Sequence, residues 1–414
     1  MAITTLSYGS SSDEDSRHRF ITDLLHDSFP ALRVENIVRM GRHNNHLHLV
    51  SLSHVQAVHA AAPPTDKQFG TVSLPETLPT HLVVRIHSLI GNNIDLDPAR
   101  KVRAEVATMA LARASGRIPV PDVYLWSDEG WTFMVMSHMP GVELTTLWDD
   151  LSADQHVVVA SSTSRAVAAI RALPVPNAYG MLDFDPTGSI IVSETSRFLT
   201  PADAYEALMR RQLAAADANA HVKGWHANGL RDRIERFLSD TSDRGFRARA
   251  AKISGPPTLT HGDIFSTNIL VDPQTLQVTA VLDWELSSVA APANEFFMSF
   301  AQWGFLFSLS SEDDGDAAEL ARHDAMLSDS YDFESKEDDK SAAMRAFGQA
   351  LISQDVLRPA TIPHFFGTAE LYWFAEELYH WFYNIERFWT SERSDGALEK
   401  GQAALEKFLS AKGF

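Results

Sequence analysis

The sequence predicts an α+β fold in two unequal lobes, a small sheet-rich lobe followed by a larger helical one. Three observations carry that expectation. Short apolar runs, HLHLVSL at 46–52 and HLVVRIHSL at 81–89, alternate largely with the period of half-buried strands. One confident helical pattern, DPARKVRAEVATMALARASG at 97–116, stands among them. Beyond Pro140–Gly141 long helical patterns take over, and 414 residues exceed a single simple core at about 150 residues per domain.

Taken in order, residues 1–16 are polar and Ser-rich and read as a loose tail. From Arg17 to Phe29, Phe20, Ile21, Leu24 and Leu25 recur at helical spacing. NIVRMGRHNNHLHLV (36–50) reads as a hairpin with Gly41 and Asn44–Asn45 at its turn. A connection rich in Pro, Thr and Ala separates the two strand-like runs. Pro98 heads the long helix, with Asp97 as N-cap and Gly116 as its stop. IPVPDVYLW and WTFMVMSHM follow as strands, so residues 17–139 form the expected N-terminal lobe. In 140–414, helices are expected over 153–173, 201–219, 228–239, 296–308, 341–354 and 367–391. The acidic run at 310–320 reads as a solvated face.

A formal charge of −19 argues against a nucleic-acid binder, which needs a basic stripe. It leaves room for a local cationic pocket and favours a neutral or cationic small-molecule partner. The chain has no cysteine, which excludes disulfides and thiolate chemistry. It shows neither a secretory leader pattern nor an apolar run long enough for a membrane helix, so a cytoplasmic protein is expected, with no membrane partner. His43, His46 and His48 cluster without a carboxylate motif, and zinc is not expected there.

LTHGDIFSTNILVDPQTLQVTAVLDWE, residues 259–285, carries the chemistry. Phosphoryl transfer needs a hydroxyl held in line by a carboxylate and a Mg²⁺ on the phosphates of ATP. Asp263 supplies the first, and Asn268 and Asp283 supply oxygen ligands suited to Mg²⁺. A strand–turn–strand between Asn268 and Asp283 would return both to one end of a hairpin.

HGDIFSTNIL followed by VLDWE resembles the aminoglycoside phosphotransferase and choline kinase family, which shares the protein-kinase-like fold. The resemblance implies Asp263 as base, Asn268 and Asp283 as metal ligands, and His261 as the residue that orients the catalytic loop. It places Arg85 where the family has a lysine on the α- and β-phosphates, with Glu105 as its partner. It makes 36–50 the phosphate-covering hairpin, with Gly41 at its turn, and 133–141 the hinge, where backbone groups of Ser137 and Met139 would read adenine. After LDWE the family usually has a further Asp that braces the catalytic loop; Glu295 stands in its place. The acceptor pocket would lie among the C-terminal helices, with Trp373 and Glu377 as candidate contacts to an aromatic or cationic small molecule. The departures at Arg85 and Glu295 leave a second reading, a kinase-like protein that binds without transferring phosphate.

Overall fold

A computed structural model describes residues 14–40, 45–54, 68–87, 97–304, 340–390 and 396–414. Gly41 and the acidic run 310–320 lie outside the described residues.

Helix α1 (Glu14–Ser28) opens the described chain, so Glu14–Ser16, expected in the tail, are helical. Then come β1 (Leu32–Met40), β2 (His46–His54), β3 (His81–Ile86), α2 (Pro98–Ala114), β4 (Val123–Ser127) and β5 (Phe133–Ser137). The five strands make one antiparallel sheet in the order β1-β2-β3-β5-β4. β3 is its central strand, and the pleat divides its side chains between two helices. Leu82, Val84 and Ile86 pack in one cluster with Ile21 and Leu25 of α1. Val83 packs in the other with Val102 and Val106 of α2. Arg85 shares the parity of Val83, so its guanidinium is turned toward α2.

α1 is held to the sheet by a polar clasp. Glu14 lies 2.7 Å from His48 Nε2 and 3.5 Å from His18 Nε2. Its second oxygen is 2.9 Å from Arg17 and 3.7 Å from Arg39. The two guanidinium groups make this grouping of nitrogen and oxygen donors a poor place for a metal cation.

After β5 the chain becomes mainly helical. β6 (Val142–Glu143) precedes α3 (Ala153–Arg171), which starts in a capping box between Ser152 and Gln155. The hairpin β7 (Leu182–Phe184) and β8 (Ile190–Val192) leads to α4 (Pro201–Ala218), capped by Thr200 with proline in its first turn. α5 (Leu230–Ser239) follows. Four short strands then frame the segment from His261 to Asp283: β9 (Thr258–Thr260), β10 (Ile269–Val271), β11 (Val278–Val281) and β12 (Ser288–Ala290). β10 lies between β11 and β6, and β12 pairs with β9. Helices Lys340–Ser353, Phe365–Leu378 and Ala397–Lys412 complete the described part. Among the described residues no helix is long and apolar enough to cross a membrane.

Two helical expectations are corrected. Among the described residues of the pattern at 296–308, the α-helix runs only over Glu295–Met298; Ser299 is extended, Phe300 is left-handed with φ 72°, and a 3-10 turn follows over Ala301–Trp303. The pattern at 367–391 is interrupted after Leu378, because Tyr379 is extended and a short turn follows over Trp381–Asn384 before a one-turn helix over Glu386–Trp389. The Tyr379 hydroxyl donates to Asn384 Oδ1 at 2.9 Å and accepts from Asn219 Nδ2 at 2.9 Å. One local bond and one from α4's C-terminus thus hold Tyr379 where the pattern has no glycine or proline to stop a helix.

Candidate active site

The loop from His261 to Asn268 leaves β9 and returns into β10. His261 is fully buried, and both ring nitrogens are committed: Nε2 donates to the Leu282 carbonyl at 3.0 Å, and Nδ1 accepts from the Asp263 amide at 3.2 Å. Burial pushes its pKa down. A neutral imidazole in this bonding arrangement orients the loop and has no free nitrogen for proton transfer. Its ring also packs against Trp284, with centroids 4.5 Å apart.

Gly262 has φ 79°, and a Cβ there would lie 2.8 Å from the Leu286 carbonyl oxygen. Only glycine fits both demands without strain. The loop's amides are gathered by one buried carboxylate. Glu295 accepts from the amide of His261 at 2.8 Å, the amide of Gly262 at 2.9 Å and the Ser299 hydroxyl at 2.7 Å. Ser299 in turn accepts from the Ile264 amide at 2.9 Å. The helix break at Ser299–Phe300 belongs to this brace, since the Phe300 amide also donates to the Ile264 carbonyl at 3.0 Å.

Asn268 Nδ2 donates to Asp263 Oδ2 at 2.7 Å and to the Asp263 carbonyl at 2.9 Å. Burial, with Asp283 nearby, pushes the Asp263 carboxyl up to about 7. The register of β10 and β11 pairs Ile269 with Val281, and the Leu282 amide donates to the Asn268 carbonyl at 2.8 Å. Asn268 and Asp283 therefore stand at the same end of this hairpin. Asp283 is left-handed, with φ 62°.

Arg85 forms the second half of the site. Its Nη1 donates to Glu105 Oε1 at 2.6 Å and its Nη2 to Glu285 Oε2 at 2.6 Å. Nη2 also lies 2.9 Å from Asp283 Oδ1, a close ion pair that lacks hydrogen-bond geometry. Glu285 Oε2 receives a further bond from Asn45 Nδ2 at 2.8 Å, which links the residue just before β2 to the site. Burial pushes the Glu105 carboxyl up to about 8 against the pull of Arg85. Lys101, one turn before Glu105 on α2, is 4% exposed beside the same group.

At the end of β5, the Ser137 amide donates to the Asp122 carbonyl at 2.9 Å, so that donor is committed. Among the described residues, the backbone groups of Met139 have no hydrogen bond. Met139 is thus the open backbone position of the expected pair.

A cavity of about 330 Å³ adjoins the catalytic loop, through Leu286, which touches Gly262, and Met298, which precedes Ser299. Tyr205, Tyr372, Glu376 and Trp381 are among its walls. Trp373 and Glu377 are not; Glu377 faces His380 at 3.1 Å, and Trp373 packs edge-on against Tyr372. One residue along a helix is a rotation of about 100°, and it separates the two pairs. Burial pushes the Glu376 carboxyl up to about 7.

Sequence reasoning missed Glu285, the side-chain role of Asn45, and Lys101. Lys101 was open to detection, because its spacing of four from Glu105 places both on one helix face. Glu285 carries no local signal beyond its place in LDWE, and Asn45 reaches it only through the tertiary fold.

A five-stranded antiparallel sheet backed by a helix, joined to a helical region that carries this loop and hairpin, is a kinase-like α+β fold. Residues 74–328, more than half the chain, match the sequence model of the phosphotransferase enzyme family, and the chain belongs to that family. No curated protein matches the sequence. The structure of the gentamicin–APH(2")-IIa complex is similar with a TM-score of 0.50 and 11% identity, covering 94% of this chain and 95% of that one. The GDP complex of wild-type aminoglycoside 2'-phosphotransferase-IIIa gives 0.45 and 13%, covering 96% and 99%. A choline/ethanolamine kinase family protein from Mesorhizobium loti gives 0.42 and 13%, covering 96% and 98%.

Proposed function

We propose that this phosphotransferase moves the γ-phosphoryl group of ATP to a hydroxyl of a small molecule, in the cleft between lobes 17–139 and 140–414. The observation that carries the reading is the assembly of Asp263, Asn268 and Asp283 at one end of the β10–β11 hairpin. Asp263 is held by Asn268 with its carboxyl at about 7, so its ionised form can accept the acceptor's hydroxyl proton near neutral pH. Membership of the family and the braced loop support a competent site.

The residues present fit Mg²⁺. Asp283 Oδ1 is paired with Arg85 at 2.9 Å, which leaves the other oxygen of this partly exposed carboxylate for a cation, and Asn268 spends its amide nitrogen on Asp263, leaving its amide oxygen. Two hard oxygen donors suit an ion that keeps waters and phosphate oxygens as its other ligands. When bound, it would neutralise phosphate charge. Met139 offers backbone groups to adenine at the hinge. The 330 Å³ cavity would take the acceptor, with Tyr205, Tyr372 and Trp381 as walls and Glu376 as a carboxylate facing a cationic or hydroxylated group.

One observation favours the second reading, a binding protein without turnover: Arg85, in the family's phosphate-gripping position, is already committed to carboxylates. Asp263→Asn separates the two. Substrate-dependent ADP formation over a panel of hydroxylated small molecules is expected from the wild type. The variant should bind MgATP equally well while turnover falls by about a hundredfold or more. Undiminished turnover in Asp263→Asn would remove Asp263 from the proposed role.

A further inference from the structure

Any nucleotide at this site brings several negative charges, and the residue expected to meet them is occupied. Both Nη nitrogens of Arg85 lie against carboxylates, at 2.6 Å from Glu105, 2.6 Å from Glu285 and 2.9 Å from Asp283. Its Nε is buried without a hydrogen-bond partner. One guanidinium facing three carboxylates leaves the cluster net negative, which repels phosphate unless another cation is present.

His87 is near but is not that cation. It is 2% exposed and 3.7 Å from Glu105, and burial, reinforced by Arg85 and Lys101, holds its pKa well below the ordinary value. A neutral imidazole adds no charge. Arg100 is exposed and lines the 330 Å³ cavity that Glu285 also borders, and Arg103 is engaged by Asp128 and Asp183 at 3.0 and 2.9 Å.

Lys101 differs from all of these. It shares the buried α2 face with Glu105, four residues on, and lies within electrostatic range of Glu285, Arg85, Glu105 and Asp283. Its side chain is 4% exposed, yet among the described residues its ammonium makes no ion pair within 4.0 Å and no hydrogen bond. Burial is the largest influence on it and, with Arg85, draws its pKa down, while Glu285, Glu105 and Asp283 oppose that shift from beyond contact distance. The stem is buried, but Nζ is not among the buried polar atoms that lack a partner, so the ammonium keeps access to solvent at the edge of the cluster, where an anion can replace water. A lysine stem is flexible and its charge is compact, so it can follow a phosphate that the fixed guanidinium cannot reach.

We propose that Lys101, reaching from α2, is the phosphate-binding cation of this enzyme, while Arg85 serves as the structural hub that holds Glu105, Asp283 and Glu285. The proposal rests on the nucleotide reading above and goes beyond it. The division moves the phosphate contact from the central strand to the helix and leaves the strand cation to organise the acidic side of the site.

The test is calorimetric titration of the full chain with MgATP and, separately, with adenosine, for the wild type, Lys101→Met and Lys101→Arg. Loss of a charge-assisted contact predicts MgATP affinity about ten- to a hundredfold weaker in Lys101→Met. Adenosine affinity should stay unchanged, and Lys101→Arg should recover part of the loss. An apo melting temperature for Lys101→Met no lower than that of the wild type would show that the variant folds. Equal MgATP affinity in wild type and Lys101→Met overturns the assignment while leaving the nucleotide site intact. Parallel weakening of MgATP and adenosine would make Lys101 a packing residue and also overturn it. If the wild type binds neither ligand, the nucleotide reading fails, and this assignment with it.

Discussion

At the scale of single residues, the site is built from buried charges whose protonation is set by neighbours as much as by chemistry. Glu376 is the simplest case, because burial is the largest cause of its rise to about 7. The folded state then holds a proton that the unfolded chain has released above the ordinary value of 4.5. Glu376 therefore costs no stability below about 4.5, becomes destabilising as pH rises, and reaches its full penalty above about 7. Glu376→Gln cannot titrate, so it should match the wild type near pH 4.5 and exceed it at pH 8. The gain should be about 1–2 kcal/mol, less than the full shift implies because the carboxyl borders a cavity open to water. Urea melts at the two pH values measure it; a constant difference between the proteins would contradict the assignment.

At the scale of elements, the catalytic loop is a strand-to-strand connection held by a broken helix. Glu295 collects two loop amides and the Ser299 hydroxyl, so its removal leaves several buried donors unpaired. Glu295→Ala should lower stability by about 2–4 kcal/mol and turnover more than nucleotide affinity. Urea midpoints and steady-state kinetics read the two effects, and an unaltered midpoint would show that the brace is not structural. The β10–β11 hairpin and the length of α2 were legible in the sequence, because strand alternation, the Asp97 cap and Pro98 act locally. So was the bond between Arg85 and Glu105, which follows from a charge in a buried strand needing a partner. The break at Ser299 was not legible: local pattern favoured helix, and the competing bonds come from residues more than thirty positions away. The same holds at Leu378, where Asn219 reaches Tyr379 across the fold. The offset between Trp373 and Tyr372, or Glu377 and Glu376, has the same origin. Aromatic residues surround that helix, and only packing against α4 selects the face that lines the cavity.

At the scale of the whole molecule, the acidic cluster sits where three parts of the chain meet: β3 and α2 through Arg85 and Glu105, the hairpin end through Asp283, and the start of β2 through the preceding Asn45 on Glu285. A ligand that bridges these parts binds only the folded chain, and must raise its melting temperature by mass action. The net charge of −19 makes the dependence on a divalent cation sharper, since unshielded ATP meets an acidic protein. The most direct test is thermal unfolding with millimolar ATP, with and without Mg²⁺, on the wild type and on Asp283→Ala. A Mg²⁺-dependent rise of a few degrees, about 2–3 kcal/mol at a hundredfold excess over Kd, is expected in the wild type and lost in the variant. No rise in the wild type at millimolar MgATP would contradict a nucleotide site at the Asp263–Asn268–Asp283 group.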